Sequence, residues 1–175
     1  MSDWEDREEI RQLLDMSAHG ADRRDFKLIR SLYVDGAYED HGDYKGDVDG
    51  FMDWAKNTVA GLEIATHLYL RPIIAISGDE AESESVLQVF FTLKGSPRIS
   101  MIGTGRQFDR YVRTPRGWRF SYRAMCTDWA HSFEGEKVPT GASMLGTTDA
   151  SDPFYTELPK VAAHLRAFSE AAPVS

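Results

Sequence analysis

Four long stretches rich in β-branched and aromatic residues dominate the middle of the chain: Leu62 to Ile76, Ala81 to Leu93, Ile99 to Thr114 and Gly117 to His131. Only short turn sequences separate them, namely Ser77-Gly78-Asp79, Lys94-Gly95-Ser96-Pro97 and Pro115-Arg116-Gly117. Links this short leave no room for the crossover that parallel neighbours need, so the four strands are expected to run antiparallel. Pro72 falls inside the first and cannot donate a ladder bond. That strand is expected to bulge there or to lie at a sheet edge.

Before Leu62 the period is helical. Ile10, Leu13, Leu14, Ser17, Ala18 and Ala21 share one face of a segment from Asp3 to Ala21, opposite Asp6, Glu8, Glu9, Arg11 and Gln12. A second helix carries Phe26, Ile29, Leu32 and Tyr33, with Asp25 as its N-cap and Asp35-Gly36 as its stop. Residues 37–45 read as a hairpin turning near His41-Gly42-Asp43. Asp47 then caps a third helix with Val48, Phe51, Met52, Ala55 and Val59 as its stripe. Beyond the last strand, residues 134–148 are Gly-rich and irregular, and Thr156 is placed to cap a tail helix bearing Leu158, Val161, Leu165 and Phe168. Three helices followed by a curved, mostly antiparallel sheet and a tail helix make an α+β domain over 1–133 with an appendage over 134–175. A helix layer inside a curled sheet makes a cone, whose mouth suits a small ligand.

Composition narrows the partners. Twenty Lys and Arg against 28 Asp and Glu give 175 residues a formal charge of −8, which disfavours nucleic acid and anionic membranes. No apolar run approaches the roughly 20 residues that span a bilayer, and the start Met1-Ser2-Asp3-Trp4-Glu5-Asp6 lacks a signal-peptide pattern. The single Cys126 makes no internal disulfide and suits a reducing cytoplasm, so a cytoplasmic location is expected.

The order of elements and several short motifs resemble the SnoaL-like family of the nuclear-transport-factor-2-like superfamily. The matching residues are Gly20-Ala21-Asp22-Arg23-Arg24-Asp25-Phe26, Tyr44-Lys45-Gly46, Thr66-His67, Asp109-Arg110-Tyr111 and Gly117-Trp118-Arg119-Phe120, spread between Ile10 and His131. The chain looks most like the members that include scytalone dehydratase and hexachlorocyclohexane dehydrochlorinase. The resemblance implies a cone-shaped α+β barrel and loss of a leaving group after proton abstraction, with His67 as base and Asp22 orienting it. It also implies substrate contacts for His41 and Arg113, no metal or organic cofactor, a small hydrophobic partner and a homo-oligomer, dimer or trimer.

The residues support parts of this independently. Imidazole exchanges a proton near neutral pH, and a carboxylate on its second nitrogen fixes the tautomer, as in hydrolase triads. Taken alone, His67 also reads as an ordinary strand histidine, Asp22 as a linker carboxylate and Arg113 as a solvated charge. Glu39-Asp40-His41-Gly42-Asp43 lacks the converging spacing of a zinc site, so no metal is expected. Trp118, Phe120 and Tyr122 alternate and are expected to face the helices, while Trp129 and Phe133 are candidates to close the cone mouth. Scytalone dehydratase carries a tyrosine before its aspartate, where this chain has Ala21, and a second histidine that falls at Phe91 here. The groups that would polarise a carbonyl are thus missing, which argues against a dehydratase of that type and leaves the simpler Asp–His pair of the dehydrochlorinase. A lyase or isomerase therefore leads. A non-catalytic hydrophobic binding protein or an accessory subunit of the same fold are the alternatives.

Overall fold

The switch of period at residue 61 separates a helical layer from a sheet that wraps it. The computed structural model describes residues 3–135 and 146–170. Helix α1 (Asp3–Arg23) buries Ile10, Leu13, Leu14 and Ser17, the face that the spacing predicts. Helix α2 (Phe26–Ser31) is capped by Asp25, whose carboxylate accepts the Leu28 N–H at 2.9 Å. Helix α3 (Val48–Ala60) is capped by Asp47, which accepts the Gly50 N–H at 2.8 Å. Each cap satisfies a donor that a helix start leaves orphaned.

Strand β1 (Tyr33–Asp40) begins where the sequence suggested helix. Phe26, Ile29, Leu32 and Tyr33 fit a helical period, but Tyr33 is buried as a strand residue. Gly36, at φ +73°, lies in the bulge of β1 rather than stopping a helix. Its left-handed backbone suits glycine. After β2 (Lys45–Asp47) come β3 (Leu62–Ser77), β4 (Glu80–Leu93), β5 (Ile99–Thr114) and β6 (Gly117–Glu134). They form one six-stranded sheet in the order β2-β1-β6-β5-β4-β3. Only the β1–β6 pair is parallel.

Irregularities curl this sheet. Pro72 sits in the edge strand β3 at a register shift between Leu70 and Ile73, so it both bulges and lies at an edge. Two more shifts interrupt β5–β6, at Thr104/Gly105 and Arg110/Tyr111. A side chain at Gly105 would run into the Cys126 carbonyl oxygen, so only glycine allows that close approach. Such bulges bend a strand and raise its twist.

They also change which way side chains point. The extra residue Ser121 turns Tyr122 away from the helices, where it stacks on Tyr38 with ring centroids 5.8 Å apart. Trp118 and Phe120 do face the helices and are fully buried. The tail departs from expectation too. Thr156 lies within α4 (Phe154–Glu157), and α5 (Pro159–Glu170) begins at a proline, a residue pre-shaped for the first helical turn. Helix α5 rests on α2 with Ala162 and Leu165 inward, leaving Leu158 and Val161 exposed. Most of the Gly-rich stretch falls outside the described residues. No described helix is long and apolar enough to cross a membrane.

Candidate functional site

Helix α1 ends in a sharp turn that presents Asp22. Arg24 adopts a left-handed backbone at φ 57°, and its guanidinium donates to the Leu62 carbonyl at 2.8 Å, tying the turn to the start of β3. Gly20 allows α2 to approach closely, since a Cβ there would lie 2.8 Å from Ile29 Cγ1. Asp22 therefore meets β3 at His67. Its Oδ1 accepts the His67 backbone N–H at 3.0 Å and lies 2.7 Å from His67 Nδ1. One oxygen thus fixes both the strand and the ring.

A carboxylate on Nδ1 holds that nitrogen as N–H and leaves Nε2 with its lone pair. No hydrogen bond reaches Nε2 among the described residues. The side chains of His67 and Asp22 are 20% and 19% exposed, sheltered but reachable. Phe91 meets the His67 ring edge-on at 5.6 Å, so an aromatic wall stands beside the imidazole.

The register assigns the surroundings. Val89, Gly103 and Ala130 share the His67 row and its helix-facing side. Gly103 contributes no side chain, which deepens the concave face there. Trp129 sits one residue off that row, opposite Thr104, Gln88 and Leu68. It is 50% exposed on the outer face of the sheet, so it does not close the cone over His67. The extra residue Asp128 reverses the shift that Ser121 introduced, so Trp129 lies on the face opposite Trp118 and Phe120.

Arg113 is likewise placed elsewhere. It lies at the far end of β5 from Gly103, held by Asp6 at 2.6 and 2.8 Å and by Asp79 at 3.1 Å, with its guanidinium 4.4 Å from the Trp118 ring. The acidic first turn of α1 takes this cation. His41 follows β1 on the helix side. Its Nδ1 lies 3.0 Å from Glu39 Oε2, and its ring packs against Phe51 at 4.6 Å and Trp54 at 5.7 Å.

Sequence reasoning missed the polar layer beneath. Arg123 is buried, bonded to Asp109 at 2.7 Å and to Ser17 on α1 at 2.6 Å. Burial works against its charge, but Asp109, Tyr69, Tyr33 and Glu39 more than restore it. Glu39, opposite Arg123 in register, is fully buried and accepts from the Tyr33 hydroxyl. The signal was present as alternation: Glu39 keeps step with Ala37 on the buried side of β1. Among the described residues, no three His, Cys, Asp or Glu side chains converge as a metal set would. A separate open groove of about 530 Å³, lined by Ile73, Glu82, Glu84, Phe108, Arg110 and Tyr122, lies on the outer face, away from the dyad.

With this geometry in view, the family relation is direct. The model of the SnoaL-like domain matches residues 2–124. The chain belongs to the SnoaL-like domain family. The uncharacterized protein Rv2910c of Mycobacterium tuberculosis is 27% identical over 122 residues, covering 67% of this chain and 82% of that one. Hexachlorocyclohexane dehydrochlorinase LinA-type3 from Novosphingobium barchaimii shares the fold with a TM-score of 0.68 at 20% identity, over 76% of this chain and 94% of its own. A nuclear transport factor 2-like superfamily protein of Salmonella enterica serovar Typhimurium does so at 0.66 and 15%, over 81% and 98%. The SnoaL-like fold expected from the sequence is thus the fold present.

Proposed function

We propose that this SnoaL-like protein is a lyase or isomerase in which His67 abstracts a proton and Asp22 orients the ring and balances its charge. One observation carries the reading: Asp22 Oδ1 holds both the ring and the backbone of His67, at 2.7 and 3.0 Å. A base in a double tether keeps its free nitrogen aimed without ordering cost at each turnover. The surrounding Val89, Gly103, Ala130 and Phe91 favour a small, largely apolar and cyclic substrate. A structural neighbour named as a dehydrochlorinase supports elimination as the reaction class. The acidic surface and absence of a disulfide partner for Cys126 agree with action in the cytoplasm.

Proton removal can be read without knowing the natural substrate. Cyclohexanone incubated with the protein in D2O should gain α-deuterium, followed by mass spectrometry. His67→Ala should lower the enzymatic rate about 10²–10⁴-fold, the usual contribution of a positioned base. Saturable binding with no exchange in the wild type would instead identify a binding protein.

A further inference from the structure

The turn that carries Asp22 closes on a backbone that suits glycine, yet this chain places an arginine there. The Asp25 N–H donates to the Gly20 carbonyl at 2.8 Å and the Arg24 N–H to the Ala21 carbonyl at 3.3 Å, the pair of bonds that ends a helix on a left-handed residue. Arg24 is that residue, at φ 57°. Glycine adopts this conformation freely, whereas a side chain crowds its own backbone. A residue held in such a conformation persists where its surroundings over-determine it, and functional sites collect them.

What arginine adds over glycine is reach. Its guanidinium donates at 2.8 Å to the carbonyl of Leu62, the first residue of the strand that carries His67. Strand β3 is an edge of the sheet, so no further strand supports its outer side. Its pairing with β4 also shifts register between Leu62 and Ile64, which loosens the start of the strand. Asp22 meets this strand through a single oxygen, 2.7 Å from the His67 ring nitrogen and 3.0 Å from the His67 backbone nitrogen. One oxygen serving two donors tolerates little drift between turn and strand. Arg23 is taken by the tail instead: its Nε lies 3.5 Å from Asp152 and its guanidinium 5.1 Å from the Phe154 ring. The two arginines after Asp22 thus divide the turn between strand and tail.

We propose that Arg24 is a positioning residue for the dyad. Its bond to Leu62 sets the spacing between the Asp22 turn and β3, so that Asp22 keeps both His67 bonds and the free ring nitrogen stays aimed. This rests on His67 acting as the base. A glycine at this position would relieve the backbone and lose the bond, so stability and positioning are expected to separate there.

The His67 amide reads the contact without any substrate, because Asp22 is its acceptor. In native-state hydrogen exchange, Arg24→Gly should lower the protection of that amide about tenfold, the worth of one hydrogen bond to a charged group. Amides of β5 and β6 should keep their protection, with Tm close to wild type. In α-deuterium exchange of cyclohexanone, kcat should fall about tenfold with KM nearly unchanged, since orientation rather than binding is lost. Arg24→Lys, whose ammonium can reach the same carbonyl, should restore most of both. Arg23→Ala removes an equal charge beside Asp22 without touching β3, and should leave protection and kcat at wild-type values. Equal losses in Arg23→Ala would assign the effect to charge or to the tail and overturn the proposal. So would an Arg24→Gly protein that keeps either the His67 protection or the wild-type kcat, or one that loses protection throughout β5 and β6. A wild type that exchanges no α-deuterium, while Arg24→Gly still loses protection at His67, upholds Arg24 as the residue that seats Asp22 and overturns the lyase reading instead.

Discussion

At His67 the outcome turns on which nitrogen carries the proton. Asp22 on Nδ1 makes the neutral ring an Nδ1–H tautomer, so ring ¹⁵N shifts of the wild type should show a protonated Nδ1 and a bare Nε2. Asp22→Asn removes the charge and should mix the tautomers, with exchange activity falling about 10²–10⁴-fold. A wild-type ring with Nε2 protonated would remove the base from the proposed chemistry. A different carboxylate sets the behaviour in acid. The Arg113 guanidinium beside Asp6 outweighs burial and, with Trp118, holds the Asp6 carboxyl at about 2, below the ordinary 3.8. The stabilisation is therefore complete above about pH 4 and lost as the pH falls toward 2. Thermal melts should show wild type losing Tm across that window, while Asp6→Asn is less stable at pH 7 and changes less in acid. Equal slopes for the two proteins would mean that Asp6 does not couple folding to protons.

Among the elements, the irregular positions decide the shape. Gly105→Ala forces a methyl group into the Cys126 carbonyl at the β5–β6 bulge, where backbone cannot yield as a side chain tip can. A stability loss of about 1–3 kcal/mol is expected in urea unfolding. No measurable change would show that the bulge relaxes freely. The same bulges explain what the sequence disclosed and what it hid. Strand lengths, the turns between them, the two aspartate caps and the Pro72 irregularity were all legible, because each depends on local chemistry. The face of Tyr122 was not, because the inserted Ser121 reverses alternation after Phe120, until the second insertion at Asp128 restores it before Trp129. Tyr33 misled for a related reason: a buried apolar residue fits either period. In the site, His67 and Asp22 were legible through the motifs around them. The Glu39–His41 pairing was overlooked because both residues read as part of a turn, although Glu39 keeps step with Ala37 on the buried side of β1. Arg113 looked available only until the Asp6 side of α1 was folded against it.

For the whole molecule, the question is what covers the outer face of the sheet. Ile64, Leu68, Phe90, Trp129 and Phe133 are all exposed there, on strands β3, β4 and β6. In register Leu68 shares a row with Trp129 across Gln88 and Thr104, Ile64 shares one with Phe133 across Thr92 and Ser100, and Phe90 lies on the row between them. Exposed large apolar side chains gathered on one face of a sheet mark a candidate association surface. The tail helix is the weaker candidate, since Ala162 and Leu165 already rest on its own α2. We propose a second copy of the chain as the occupant, because exposed apolar side chains on one sheet face can meet their own copies across a two-fold axis. Sedimentation velocity should give a dimer for the wild type. Trp129→Glu should shift it to a smaller species with its melting temperature nearly unchanged. The dyad faces the helices, so Trp129→Glu should leave α-deuterium exchange intact. A wild type that sediments as a monomer would mean that the outer face is solvated as it stands.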